Sequence, residues 1–193
     1  MEVDRNDSRR RRHGLVTGLV LAVILLSAEA YVQNPDKCKM PDSSIGYYFS
    51  AITSPYQIAF TSAESAWDST TAWGYFHSTT YSAANIRVYD YAYGASEPIA
   101  WTAGACSYDS VWNNGRVDIR FNQTKMDSYP TLKKKATAAH ELGHAYGLAH
   151  TEHYDCHDQV GHSGIMTGGA WTYNNCSWST PKTDDVAGVN YVY

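Results

Sequence analysis

The sequence predicts an α+β fold, with strands and helices in separate stretches of the chain. Apolar side chains recur at helical spacing over residues 54–67. Three segments rich in aliphatic and aromatic residues follow, at 85–92, 99–108 and 117–122, and each is typical of a strand. A second helix is expected beyond them. This order favours a sheet with helices packed against it in a single domain.

One further strand and the first helix come before these segments. Residues 45–50 are aromatic and bounded by turn formers, which indicates a strand. Ser54 is placed to cap the helix, Pro55 suits its first position and Gln57 completes a capping box. We expect this helix to end near Gly74. Its expected core positions are Tyr56, Ala59, Phe60, Ala63, Ala66 and Trp67.

Local signals also mark the later connections. Asn113-Asn114-Gly115, between the last two strands, indicates a tight hairpin turn. The second helix follows Pro130, with Thr131 as its cap. Lys133 to Lys135 form a charge run that we assign to a solvated face. The alanines at 136, 138 and 139 allow this helix to pack closely on the sheet.

The strongest motif lies at residues 140–150, which read H-E-x-x-H-x-x-G-x-x-H. His140 and His144 are four residues apart, so a helix aims both imidazoles at one point, with Glu141 beside it. Gly147 suits a helix end because glycine adopts positive φ cheaply, and the chain can then return His150 as a third ligand. Three neutral imidazoles hold Zn²⁺ and leave a fourth position for water. We predict one catalytic zinc on these histidines, with Glu141 as general base and then general acid.

Two alternatives accompany this motif. The short form H-E-x-x-H also occurs on charged, solvated helix faces, but the added glycine and third histidine make chance matches rare. His153, His157 or His162 could replace His150 as the third ligand, although the glycine three residues earlier favours His150, and we expect the others at the surface. The extended pattern also needs a methionine turn. Met166, sixteen residues after His150 and flanked by glycines, is the candidate.

These residues resemble the metzincin zinc endopeptidases, and most closely the matrixins in a minimal single-domain form. Residues 183–193, an acidic pair followed by spaced aliphatics and a tyrosine, are similar to the helix that closes matrixin catalytic domains. The resemblance covers 43–193 and implies a zincin-like fold, with a twisted mixed sheet, an active-site helix, a Met turn and a C-terminal helix. It also implies that Asp184 or Asp185 pairs with the new N-terminal ammonium. The alternative is favourable charge at a helix start.

The resemblance further implies where a substrate lies. The segment equivalent to 99–108 is the free edge strand above the cleft, and an extended peptide adds to it as an extra strand. The proline and tyrosine that matrixins place beyond the methionine are replaced here by residues 167–170, and Gly168 stands where some metzincins have a tyrosine. Substrate preference is therefore left open. The residues expected to contact substrate are Ala100, Trp101, Thr102 and Ala103.

Four cysteines in an exported chain suggest two disulfides, whose connectivity the sequence leaves open. We prefer Cys156 with Cys176, clamping the loops around Met166, and Cys38 with Cys106. The alternative is a latency switch. Residues 35–42 resemble the matrixin motif whose cysteine thiolate occupies the fourth zinc position, although lysines stand where that motif has arginine and glycine. Cys106 would then be unpaired.

We interpret residues 1–30 as a signal peptide. Arg9 to Arg12 are followed by the apolar run 15–26, which is too short to span a bilayer comfortably, and by a small-x-small cleavage site ending at Ala30. A membrane anchor is the alternative reading, and the paired arginines also allow a twin-arginine route. We expect a secreted, extracellular protein with an N-terminal segment at 31–42 and a catalytic domain at 43–193.

Charge and composition narrow the partners. The formal net charge is −4, and removing residues 1–30, with five Arg and four Asp or Glu, makes it −5. This mildly acidic chain offers no basic patch for nucleic acid, its mature part offers no bilayer-spanning stretch, and we expect a monomer. Calcium binding is left open, because scattered carboxylates are usually surface charges. The aspartates considered were Asp90, Asp109, Asp118 and Asp127.

The combined prediction is a secreted zinc endopeptidase that acts on a protein or peptide in an extended conformation. One alternative is a non-catalytic, zinc-stabilised module that binds glycans or a cell wall through its tyrosine- and tryptophan-rich surface. The presence of Glu141 argues against this alternative, because such a module does not need a general base. A third reading is an enzyme acting on a non-peptide amide.

Overall fold

A computed structural model describes residues 32–168 and 170–193, so the predicted signal peptide lies outside the described residues. The elements follow in the order β1 (Val32–Gln33), β2 (Ser44–Ala51), α1 (Ser54–Asp68), β3 (Tyr75–Ser78), β4 (Ile86–Tyr91), β5 (Ala100–Ala103), β6 (Val117–Asn122), α2 (Gln123–Met126), α3 (Thr131–Tyr146), β7 (Leu148–Ala149), α4 (Trp171–Cys176) and α5 (Thr183–Val192). Within these ranges, none of the helices has the length and apolar character needed to cross a bilayer.

The main sheet has five strands in the order β3-β2-β4-β6-β5. Its first four strands are parallel to their neighbours, whereas β5 runs antiparallel to β6 and lies at the edge. The predicted mixed sheet, its edge strand and the C-terminal helix are therefore confirmed. A separate two-stranded pairing joins β1 to β7, which ties the start of the described chain to the segment just after α3.

Helices α1 and α3 pack against each other and against the sheet, around one hydrophobic core. The indole Nε1 of Trp67 on α1 donates to the carbonyl of Ala139 on α3 at 2.9 Å. This contact requires close approach, which the small residues of α3 allow. The predicted core residues Tyr56, Ala59, Phe60, Ala63 and Trp67 are buried, together with the alanines at 136, 138 and 139.

The ends of α1 differ from the prediction. Thr53, not Ser54, is the residue before the helix, and no side chain caps its first turn. The Thr53 hydroxyl donates to the buried carboxylate of Asp90 on β4 instead, and the Gln57 amide donates to the backbone carbonyl of Ile52. The helix also ends at Asp68, well before Gly74. Ser54 therefore provides no cap, and the Gln57 side chain bonds the carbonyl of Ile52 instead of completing a capping box.

The hairpin between β5 and β6 is also looser than predicted. Strand β5 stops at Ala103, so a long loop connects it to Val117. Asn114 and Gly115 both have positive φ, of 57° and 63°, so the predicted turn forms inside that loop. The turn residues were recognised correctly, but the extent of strand pairing around them was not.

The start of α3 corrects two further expectations. Thr131 is the first helical residue after Pro130 and provides no side-chain cap. Lys134, assigned to a solvated face, is buried, and its ammonium donates to the carbonyls of Asp127 and Tyr129 at 2.9 and 2.8 Å. Burial of this lysine is tolerable because the carbonyl oxygens satisfy its charged head.

Both disulfides of the preferred arrangement are present, Cys38–Cys106 and Cys156–Cys176. No free cysteine remains in the described chain. The latency alternative is therefore wrong, because the Cys38 thiol is bonded to Cys106 and cannot serve as a metal ligand. The disulfide instead links the N-terminal segment covalently to the catalytic domain.

Candidate metal centre

The bend after α3 places the third histidine. Gly147 ends the helix with φ 107°, a left-handed conformation that favours glycine. A Cβ here would also overlap the carbonyl of Cys38. Asn34 braces the bend, because its backbone N–H and its side-chain amide both donate to the Gly147 carbonyl. The chain then reverses through β7 and brings His150 to the histidines of α3.

The three imidazoles converge on one point. The Nε2 atoms of His140, His144 and His150 are separated by 3.0, 3.0 and 3.1 Å. The Nδ1 atom of His140 lies 2.7 Å from the carbonyl of Ile165, and that of His144 lies 2.7 Å from the carbonyl of Leu148. A carbonyl only accepts, so both Nδ1 atoms carry the proton and both Nε2 lone pairs face inward.

This arrangement fits a divalent metal. Desolvation lowers the pKa of all three histidines, that of His140 well below its ordinary value and that of His144 to about 4, so the rings are neutral near pH 7. Converging lone pairs repel one another unless a cation lies between them. In a tetrahedral zinc site with bonds of about 2.0–2.1 Å, neighbouring ligand atoms lie about 3.3–3.4 Å apart, close to the spacing here.

Glu141 lies beside the three histidines. Its side chain is buried, and desolvation raises its pKa to about 8 even though hydrogen bonds from Thr102 act in the opposite direction. The Thr102 hydroxyl lies 2.9 Å from both the Oε2 atom and the backbone carbonyl of Glu141. Thr102 lies on the predicted edge strand, but its contact with Glu141 was not predicted, because it joins residues 39 positions apart in the chain.

Met166 lies against α3 at Gly143. A Cβ on Gly143 would overlap the Met166 sulfur, so the glycine inside the motif is what lets the Met turn approach α3. Asp185 fastens that turn, since its carboxylate accepts from the backbone N–H groups of Ile165, Met166 and Lys182 at 2.7, 3.1 and 2.7 Å. Desolvation raises the pKa of Asp185 to about 6 despite these bonds.

The two aspartates of α5 can now be placed. Asp185 lies in the first turn of α5, as one of the two predicted alternatives had it. Its bonds to the Met turn were missed, because nothing in the local sequence signals them. Asp184 accepts from the backbone N–H of Gly161, in the loop before the turn.

Comparison with known proteins adds one finding. The model of Metallo-peptidase family M12 matches residues 16–191. The chain belongs to this family. No curated protein matches the chain. Family M12 enzymes are zinc-dependent, and His140, His144 and His150 could bind the metal. The broader metzincin resemblance is thereby confirmed, and the narrower likeness to matrixins stays a prediction.

The cleft of this M12 metallopeptidase runs between β5 and α3 and has a volume of about 460 Å³. Its lining combines the histidines and Glu141 with small or apolar side chains. The lining residues away from the histidines include Pro98, Ile99, Trp101, Trp112, Ala136, Thr137, Leu148, Ile165, Ala170 and Thr172. Only the edge-strand residues of this cleft lining were predicted, because the other lining residues come from elements that are separate in the chain.

Strand β5 presents a free edge to the cleft. The N–H of Asn122 donates to the carbonyl of Ile99, and the antiparallel register pairs Trp101 with Arg120. Backbone groups of an antiparallel strand alternate in direction, so those of Ile99 and Trp101 face β6. The backbone N–H and C=O of Ala100 and Thr102 therefore face outward. Of the four predicted contact residues, these two offer main-chain hydrogen bonds.

The other candidate ligands lie elsewhere in the metallopeptidase. His153 and His157 are exposed, as predicted, and His162 is half-buried. None of the three joins the cluster formed by His140, His144 and His150.

The four aspartates considered for calcium are engaged with protein groups. Asp90 accepts from Thr53, Asp127 from the hydroxyl of Tyr56, and the other two pair with basic side chains. Two groups of side chains within residues 32–168 and 170–193 are arranged so that they could hold a metal ion, and neither group includes any of these aspartates.

Proposed function

We propose that this metallopeptidase is a secreted zinc endopeptidase that cleaves internal peptide bonds of extended segments. One observation carries the proposal. Three imidazole Nε2 atoms converge beside a buried carboxyl group, at the floor of a cleft that is open along a strand edge. This combination matches metal-assisted hydrolysis of an extended chain and is more than a structural metal requires.

His140, His144 and His150 would hold the zinc. When bound, zinc supplies a Lewis acid that polarises the peptide carbonyl and lowers the pKa of water. Glu141 is positioned to accept the proton of the attacking water and then to deliver it to the leaving nitrogen. Its burial beside the histidines and its hydrogen bond from Thr102 support this role, because a carboxyl group held in place within the cleft can pass a proton from water to the leaving nitrogen.

The substrate is positioned by β5 and by the pocket below it. The outward backbone groups of Ala100 and Thr102 support pairing with an extended peptide, which explains how one peptide bond is held at the metal. Ala136, Thr137 and Ala170 line the cleft with short side chains. The space they leave favours an apolar substrate side chain of medium or large size next to the cleavage site.

Secretion is supported by residues 1–30, with their basic and apolar regions, and by the two disulfides, which persist in oxidising compartments. Expression of the full chain in a secreting host tests this. We expect the protein in the medium with an N-terminus at Tyr31. Retention in the membrane fraction with residues 1–30 intact would contradict it.

Incubation of the mature chain with an unfolded protein tests the activity. We expect internal cleavage, identified by mass spectrometry of the products, that a zinc chelator abolishes and added zinc restores. His150→Ala should lose the zinc of the cleft and the activity. His153→Ala, a neighbouring histidine outside the cluster, should retain both. Folded, zinc-loaded protein without any cleavage would favour the binding module instead, and equal activity in the two variants would remove His150 from the site.

A further inference from the structure

A second group of metal-binding side chains lies in the loop that joins His150 to Met166. Asp155, His157 and His162 each offer a ligand atom, and these atoms all lie within 4.8 Å of one another. We call these three residues the loop cluster. It shares no side chain with the three histidines of the cleft, and the proposed hydrolysis does not use it.

The loop cluster is held in place by its own backbone. The Oδ1 atom of Asp155 accepts from the backbone N–H groups of His157 and Ser163, at 3.1 and 3.3 Å. The Ser163 hydroxyl accepts from the N–H of Asp155 at 2.7 Å and donates to the carbonyl of His153 at 2.7 Å. These bonds fix one carboxylate oxygen and aim the other, Oδ2, toward the histidines.

A disulfide and a hydrogen bond restrain the same loop. Cys156, between Asp155 and His157, is bonded to Cys176 at the end of α4. Asp158 accepts from the backbone N–H of Thr183 at the start of α5. Ligand side chains on a restrained loop lose little freedom when an ion binds, which favours binding.

The ligand atoms suit a borderline divalent cation. The Nδ1 atom of His162 lies 3.1 Å from Oδ2 of Asp155, close to the spacing of about 3.3 Å in a tetrahedral zinc site. The rings of His157 and His162 meet edge to face with centroids 5.2 Å apart. Two imidazoles and one carboxylate are a familiar zinc ligand set, and solvent exposure leaves room for water as the fourth ligand.

A simple ion pair between Asp155 and His162 accounts for only two members of the cluster. It gives no reason for the ring of His157 to lie against His162. A shared cation accounts for all three side chains, since it would offset the repulsion between two imidazole lone pairs and the carboxylate charge.

We propose that Asp155, His157 and His162 form a second zinc site, separate from the cleft. Its effect is structural, because the bound ion closes the loop between the third histidine of the cleft and the Met turn. The site binds Zn²⁺ or a similar transition metal, and not Ca²⁺, whose coordination requires more oxygen ligands than this cluster holds.

Equilibrium dialysis of the mature chain against Zn²⁺, followed by metal analysis, tests the proposal. We expect His157→Ala and His162→Ala to bind one zinc equivalent fewer than wild type, while His153→Ala binds as many as wild type. The comparison is between variants, so it holds whatever the occupancy of the cleft histidines, and a failed hydrolysis assay would not affect it. Equal binding by His157→Ala and wild type would overturn the proposal, as would an equal loss in His153→Ala.

Thermal unfolding gives a second readout. Saturating zinc at about 100 times the dissociation constant should raise the unfolding temperature of wild type by about 5–10 °C more than that of His157→Ala. If the variants fail to fold, zinc-edge anomalous diffraction from wild-type crystals grown with zinc decides the matter. A peak between Asp155 and His162 supports the site, and its absence overturns it.

Discussion

Glu141 on α3 and Asp185 on α5 are both buried carboxyl groups, with 3% and 1% of their surface exposed, and desolvation raises the pKa of each. Their surroundings differ. Asp185 accepts three backbone N–H groups from the Met turn and the start of its own helix, whereas the hydrogen bonds to the Glu141 carboxyl group come from one residue, Thr102, and Glu141 faces the cleft. A carboxylate satisfied by backbone donors is committed to structure. One with spare hydrogen-bonding capacity in a cleft can exchange a proton.

The largest expected effect is on catalysis. Glu141→Gln keeps the size and the contact with Thr102 but removes the proton acceptor, so we expect kcat/KM to fall by about 10²–10⁴-fold. Zinc content and unfolding temperature should stay near wild type. Peptide hydrolysis and metal analysis on the same preparation measure both. Undiminished turnover in Glu141→Gln would mean that Glu141 does not exchange the proton, and so does not differ from Asp185 in that respect.

The second effect is on stability. Asp185→Ala leaves the N–H groups of Ile165, Met166 and Lys182 without their acceptor, so we expect a loss of about 3–5 kcal/mol in the free energy of unfolding. Asp158→Ala is the matched control, because Asp158 is an exposed aspartate that accepts one N–H at the same end of α5, and its loss should stay within about 1 kcal/mol. Urea denaturation measures both losses. Similar losses in the two variants would show that the three N–H bonds to Asp185 do not stabilise the fold more than the contact at Asp158.

A third expectation concerns pH. The pKa of Asp185 is about 6 in the folded chain against an ordinary value of 3.8, so the folded state binds its proton more tightly than the unfolded state. The stability this contributes is present below about pH 4 and is lost as the pH rises through 6. Asp185→Asn cannot titrate. We expect the stability of wild type relative to this variant to fall by about 2–2.5 kcal/mol between pH 4 and 7.

Denaturant titrations of the two proteins at matched pH give that difference directly. Contributions from the cleft histidines occur in both proteins and cancel. A difference that is constant or rises with pH would mean that the three N–H groups outweigh desolvation, and that Asp185 is an ordinary ionised carboxylate.

The smallest effect is expected at Thr102. Thr102→Val removes the hydroxyl beside Glu141 at nearly constant shape, and we expect kcat to fall by up to about tenfold, the equivalent of about 1.4 kcal/mol. Thr102→Ser should restore most of the activity, because it restores the hydroxyl. The pH dependence of kcat should shift in the valine variant and return in the serine variant. A loss of activity in both, with an unshifted profile, would indicate that Thr102 acts through packing alone.

Much of the site could be predicted because its geometry is local. His140, Glu141 and His144 are related by one helical turn, and Gly147 is the residue that the left-handed end of α3 requires. Met166 could be predicted only from a family pattern, because its approach to Gly143 depends on how two separate elements pack. The caps predicted for α1 and α3 were wrong, because no side chain caps either helix and the Gln57 amide bonds the carbonyl of Ile52.

The fixed periods of helices and strands and the conformational freedom of glycine were enough to predict the strands, the helix that carries two of the three histidines and the bend that returns the third. The edge position of β5, the contact of Thr102 with Glu141 across 39 residues of chain and the bonds from the Met turn to Asp185 are seen only in the folded chain. Such contacts depend on how distant elements pack, and no spacing within one element encodes them.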